Sequence, residues 1–224
     1  MKRNQSGFTL IEIAIVLVII GLLLGGVLKG QELINSAKVK NLANDFKNIP
    51  VFIYGYQDKF KALPGDDKKA DTNVGAAPAD VGNGNGVIGG NWDSATTTDE
   101  SYMFWQHVRL AGLAPGPTAL ADPDYIPTNA AGGKIGIQSG TNIAASAPIQ
   151  DLSGTPVAIR GSYIVCSDAI LGKFVKQLDT TLDDGNTATG SMMAALGSTY
   201  AIGASAVATA SIDEALTYTV CMGI

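Results

Sequence analysis

The chain has 224 residues and a formal net charge of −5, with 16% charged and 46% hydrophobic residues. That acidic balance excludes a nucleic-acid surface as the main function, because phosphate binding needs clustered Lys and Arg. The length suits one ordinary domain with an appendage, or two small ones. Two cysteines, Cys166 and Cys221, are too few for a zinc site.

The apolar content is concentrated at the N-terminus. Residues 1–6 carry Lys2 and Arg3 and no acid, and from Phe8 to Leu28 every residue except Thr9 and Glu12 is apolar or glycine. At ~1.5 Å per helical residue this run is about 30 Å long, enough to cross a bilayer's hydrocarbon core. Lys2 and Arg3 keep the leader cytoplasmic and export the chain beyond Leu28. A secretory signal fits less well, since the run is too long and no Ala-x-Ala site comes after it. Glu12 is the anomaly, because a carboxylate inside a span costs on the order of 3 kcal/mol and marks a functional position by default. Gly21, Gly25, Gly26 and Gly30 form two small-x-x-x-small pairs that let apolar helices approach closely.

The segment Gly7-Phe8-Thr9-Leu10-Ile11-Glu12, set between a short basic leader and an apolar helix, resembles the N-terminus of type IV prepilins and type II secretion pseudopilins. Fainter resemblances occur at Ala62–Asp67, Gly82–Gly86 and Leu182–Gly190. The resemblance implies a leader of residues 1–7 removed by a prepilin peptidase between Gly7 and Phe8, and N-methylation of Phe8. It also implies that Glu12 pairs with a neighbouring subunit's new amino group, which would offset part of each ion's desolvation in hydrocarbon. The implied partners are the peptidase, identical or related pilin subunits, an inner-membrane assembly machinery and, before assembly, the bilayer. The implied destination is a surface pilus or a periplasmic pseudopilus. The competing reading is an exported enzyme or binding domain for which the helix is only a tether.

Downstream of the span, Leu33, Ile34, Ala37, Leu42, Phe46, Ile49 and Ile53 recur at helical spacing, so residues 29–63 read as an amphipathic continuation. Pro50 is expected to kink or locally break it. Pro64-Gly65 ends it, opening a head of residues 64–224. Residues 65–98 read as a long Gly/Asp/Asn-rich loop, pinned by something. The next element is a helix over Ser101–Leu113, started at Thr98-Asp99. Short strands are expected at Lys134–Gln138, Val157–Cys166, Met192–Leu196, Tyr200–Ala208 and Ala215–Met222, with a helix over Ser167–Leu182. The fold class is therefore α+β: a long N-terminal helix whose second half packs on an antiparallel sheet, the lollipop of pilins. Export makes a Cys166–Cys221 disulfide reasonable, the alternative being two buried thiols.

Catalytic signatures are sparse. Gly84-x-Gly86-x-x-Gly89 matches a dinucleotide fingerprint only formally, since no strand precedes it. His107 is the single histidine, placed mid-helix, and no Gly-x-Ser-x-Gly elbow occurs. No enzyme is expected. Asn83, Asn85 and Gly86 fit positions of a calcium loop, with Asp80 one residue early and Trp92 where the closing glutamate belongs. Asp66, Asp67 and Asp71 could add oxygens, and Asp183, Asp184 and Asn186 form a second hard-oxygen cluster. Calcium is the one cofactor suggested; Asx-turns bonding their own backbone are the simpler reading.

Overall fold

The computed structural model describes residues 9–224. The chain divides into two compact units, one ending at Lys38 and one running from Val39 to Ile224. Its elements in order are α1 (Leu10–Phe60), α2 (Ala70–Asn73), α3 (Glu100–Leu110), β1 (Ile135–Ser139), β2 (Ile149–Gln150), β3 (Tyr163–Leu171), α4 (Gly172–Leu182), β4 (Met192–Leu196), β5 (Ala204–Ser205) and β6 (Thr217–Gly223), with three single 3-10 turns.

In the first unit every residue from Thr9 to Lys29 is exposed, and this part of α1 is long and apolar enough to cross a bilayer. In the second unit α1 buries Val39, Leu42, Ala43, Phe46, Ile49, Ile53 and Tyr56, the three-and-four spacing of a single helical face. The helix continues through Pro50 without a break. The missing amide there costs one bond to the Phe46 carbonyl, and the buried residues on either side, Ile49 and Ile53, hold the helix in place.

The second unit is built on a four-stranded antiparallel sheet in the order β1-β3-β6-β4. Strand residues alternate between its two faces. Ile135, Ile137, Val165, Ile170, Met192, Tyr218 and Val220 join α1, α3 and α4 in the main core. Ile164, Cys166, Met193, Ala195 and Cys221 face the other way and pack with Trp92, Ile149 and Ile159, where β2 and β5 form a small parallel pair. Cys166 lies directly opposite Cys221 and is disulfide-bonded to it.

Strand β3 carries a bulge. Ser167 pairs with Val220 and Ile170 with Tyr218, so three steps on β3 match two on β6. Without the extra residue Ile170 would point away from the main core, since a one-residue slip reverses every later side chain. The bulge contains Ala169, at φ 56.

Several local expectations differ from the structure. Ser167–Leu171 is strand rather than helix, because β6 pairs with it, and α4 starts only at Gly172. The run expected over Val157–Cys166 starts as β3 only at Tyr163. That over Tyr200–Ala208 reduces to Ala204–Ser205, flanked by 3-10 turns. Asp99 does precede α3, but its carboxylate accepts from the Ser94 hydroxyl (2.6 Å) instead of capping the helix.

Candidate functional site

Gly7 and Phe8 lie outside the described residues. Immediately after them, α1 opens with a reciprocal cap. The Thr9 backbone N–H donates to Glu12 Oε2 (2.7 Å), as does the Thr9 hydroxyl (2.8 Å), and the Glu12 N–H donates to Thr9 Oγ1 (3.3 Å). This is the Thr-x-x-Glu capping box, in which a carboxylate satisfies an amide the helix leaves unpaired. It also sits at the positive end of the helix dipole. The acid that is anomalous in an apolar span is thus accommodated within its own chain. The Thr-x-x-Glu spacing is the sequence signal for this second role of Glu12, beside the intermolecular one that the resemblance implies.

A Cβ built on Gly21, Gly25, Gly26 or Gly30 would meet nothing within 4 Å. All four glycines therefore present open backbone surface, and among the described residues no packing requires them.

In the second unit the acidic residues at 66, 67 and 100 act as loop anchors. Asp66 is buried, and its carboxylate accepts from the backbone amides of Gly84 (2.6 Å), Asn85 (3.0 Å) and Gly86 (2.7 Å). Asp67 accepts from the Tyr56 hydroxyl (2.8 Å), the Asn73 amide (2.7 Å) and the Lys69 N–H (2.8 Å). Glu100, at the start of α3, accepts from the amides of Asn83 (2.9 Å) and Gly89 (2.8 Å). The long loop is therefore pinned by carboxylates bonding its own backbone.

His107 completes this arrangement. Fully buried, it accepts at Nδ1 from the Gly65 N–H (2.9 Å), while Nε2 lies 2.9 Å from the Asp80 carbonyl. Those partners fix the neutral tautomer with the proton on Nε2, and burial holds its pKa below the usual value. Gly65 has φ +88, and an added Cβ would collide with the Glu100 carbonyl, so glycine is required at this turn.

The oxygens suggested as calcium ligands have protein partners. Besides Asp66 and Asp67, Asn83 and Asn85 accept from the amides of Asn85 and Val87. Asp80 accepts from the Gln106 side chain (3.2 Å). Asp183 accepts from Ser191 and Met192, and Asp184 from Asn186. Among the described residues no group of three or more His, Cys, Asp or Glu is placed to hold a metal ion. Near the second cluster, Asp179 of α4 is 1% exposed, and among the described residues neither carboxylate oxygen has a hydrogen bond of good geometry, though the Gly185 N–H lies close enough to favour the charged form. Burial pushes its carboxyl up to about 6 against the opposing effect of the Gly185 backbone N–H, and the charges of Asp183 and Asp184 add to the rise.

No curated protein and no solved structure matches the chain. Residues 2–28 match the family model described as the prokaryotic N-terminal methylation motif. The chain carries, at its N-terminus, the prepilin-type cleavage and methylation segment.

Proposed function

We propose that this protein is a structural subunit of a type IV pilus or pseudopilus. In this reading a prepilin peptidase cuts after Gly7 and Phe8 is N-methylated. The subunit waits in the inner membrane with its N-terminus cytoplasmic and its head exported, then joins a filament of identical or related subunits through α1. The observation that carries the reading is the coincidence of the methylation motif with an apolar helix exposed from Thr9 to Lys29. An unburied apolar surface of that length needs either lipid or neighbouring helices around it. The Cys166–Cys221 disulfide supports export, because such bonds persist in oxidising compartments.

Glu12 then has two successive partners. Before assembly it bonds Thr9 of its own chain; in the filament it meets the methylated amine of a neighbour. The four glycines let α1 helices approach one another closely.

Co-expression with the cognate prepilin peptidase tests the reading. The expected product has lost residues 1–7 and begins with N-methyl-Phe8, as read by mass spectrometry of the intact chain. An intact Met1 terminus would instead favour a tethered enzyme or binding domain. Glu12→Val is expected to leave membrane insertion unchanged and abolish filament yield; normal yield would sink the pairing.

A further inference from the structure

The loop that Asp66 anchors contains the only two Asn-Gly steps in the chain, Asn83-Gly84 and Asn85-Gly86. Asn-Gly is the dipeptide most prone to spontaneous deamidation, because glycine has no side chain to shield its backbone nitrogen. In that reaction the glycine nitrogen bonds to the asparagine Cγ, and the side-chain nitrogen leaves as ammonia, taking the glycine amide proton with it. Water then opens the resulting succinimide to aspartate or isoaspartate. Both Asn83 and Asn85 are exposed, so burial keeps water from neither.

What the fold withholds is the nucleophile. The Gly84 N–H donates to Asp66 Oδ1 (2.6 Å) and to the Asp66 carbonyl (2.9 Å), and the Gly86 N–H donates to Asp66 Oδ2 (2.7 Å). One buried carboxylate thus takes up both amides that the reaction needs. The asparagine side chains are committed as well. Asn83 Oδ1 accepts from the Asn85 N–H (3.0 Å), and Asn85 Oδ1 accepts from the Val87 N–H (2.8 Å). The loop lies directly on Asp66, since a Cβ on Gly82 would strike the Asp66 backbone.

We propose that Asp66 guards Asn83 and Asn85 against deamidation, making the pair a latent modification site that opens only when this loop is released. A carboxylate is a far weaker base than a deprotonated amide, so the shared proton stays on each glycine nitrogen. The carboxylate's charge also opposes the anionic nitrogen that attack requires. Each bond must break before the ring closes, and losing a hydrogen bond to a charged group slows that step by about 10- to 100-fold. Release has an electrostatic consequence. Each conversion places a new carboxylate beside Asp66, and the like charges oppose the return of the loop. The site lies within the second unit and does not depend on filament assembly.

The test incubates the full chain in detergent at pH 8, either folded or in concentrated urea. Peptide mapping by mass spectrometry then reads deamidation separately at Asn83 and Asn85. In the folded parent both positions should convert about 10- to 100-fold more slowly than in urea. Asp66→Asn separates the two steps. Its side-chain oxygen can replace Oδ1, which holds the Gly84 and Asn85 amides, but its NH2 cannot accept from Gly86. Asn85 should therefore convert at least ~10-fold faster than in the parent while Asn83 stays slow. Glu100→Ala loosens the same loop at the Asn83 and Gly89 amides and should leave both positions slow. Near-ultraviolet circular dichroism checks that each variant is folded. The proposal is overturned if the folded parent converts as fast as the denatured chain, or if Asp66→Asn leaves Asn85 as slow as in the parent. Acceleration of both positions in folded Glu100→Ala overturns it too, because loop order and not Asp66 would then protect them.

Discussion

Asp179→Asn should stabilise the protein at neutral pH and leave it nearly unchanged in acid. Asp179 is 1% exposed on α4, and among the described residues its oxygens have no hydrogen bond of good geometry and only the nearby Gly185 N–H to favour the charge, so an ionised carboxylate there is poorly compensated. Its pKa rises from 3.8 to about 6 on folding. A folded pKa above the unfolded one means the folded state binds the proton more tightly. Stability from this group is therefore greatest below the unfolded pKa and is lost as pH climbs through about 6. With the carboxyl ionised in both states at pH 7, that rise corresponds to a penalty of roughly 3 kcal/mol, which a neutral amide of the same shape avoids. The gain should fall to roughly half by pH 5 and below ~1 kcal/mol at pH 4. For a chain of this size that is a rise in Tm of about 6–12 °C at pH 7. The assay is thermal unfolding of the full chain in detergent, followed by near-ultraviolet circular dichroism at pH 7, 5 and 4. A variant less stable than the parent at pH 7, or a gain that does not shrink with acid, would refute the reasoning.

His107 should give the opposite pH dependence. Its folded pKa lies below the unfolded value of 6.5, so its contribution is present above that pH and is lost as pH falls towards the folded value. In an Asp179→Asn background, unfolding midpoints should drop between pH 7 and 5, and His107→Gln should flatten that drop; an equal slope in both chains would refute it. Asp66→Ala removes the acceptor for three backbone amides and should cost about 3 kcal/mol or more in chemical denaturation. A loss under ~1 kcal/mol would show that the loop finds other partners. Replacing Cys166 and Cys221 together by Ser opens a loop spanning 55 residues of sequence separation and should cost about 4 kcal/mol, measured against the oxidised parent. Ala169→Gly relieves a left-handed backbone at a non-glycine residue and should stabilise by up to ~1 kcal/mol; a loss of stability would mean that the methyl packs usefully in the bulge.

Legibility in the sequence tracks the range of the interactions responsible. The apolar run up to Leu28 and the helical repeat after it are local patterns and easily read, but Leu33, Ile34 and Ala37, expected on the packed face, are exposed, and burial on α1 starts only at Val39. Strands β1, β4 and β6 match short apolar runs to within two residues. The segments that differ are decided at a distance. Ser167–Leu171 has the composition of a helix start, yet β6 claims it as strand through a bulge that no local pattern marks. The run over Tyr200–Ala208 has extended character, but only Ala204 and Ser205 find a partner strand, β2. In the candidate sites, Gly7, Phe8 and Glu12 stand out because each is unusual in its own neighbourhood. Glu100 and His107 do not, because their partners are 11 to 42 residues away. The Asp and Asn residues that resemble ligands are recognisable as oxygen donors, but sequence alone does not show that backbone amides take up those oxygens.

The order β1-β3-β6-β4 carries a consequence for biogenesis. β6 is the latest strand in chain order, yet it sits inside the sheet, and β4 reaches the rest of the sheet only through it. A chain emerging from N- to C-terminus thus cannot complete its sheet, or bring Cys221 opposite Cys166, until residues 217–223 have emerged. While synthesis continues, the sheet of the second unit stays open at its centre. The disulfide then acts as a latch that can close only on the finished sheet.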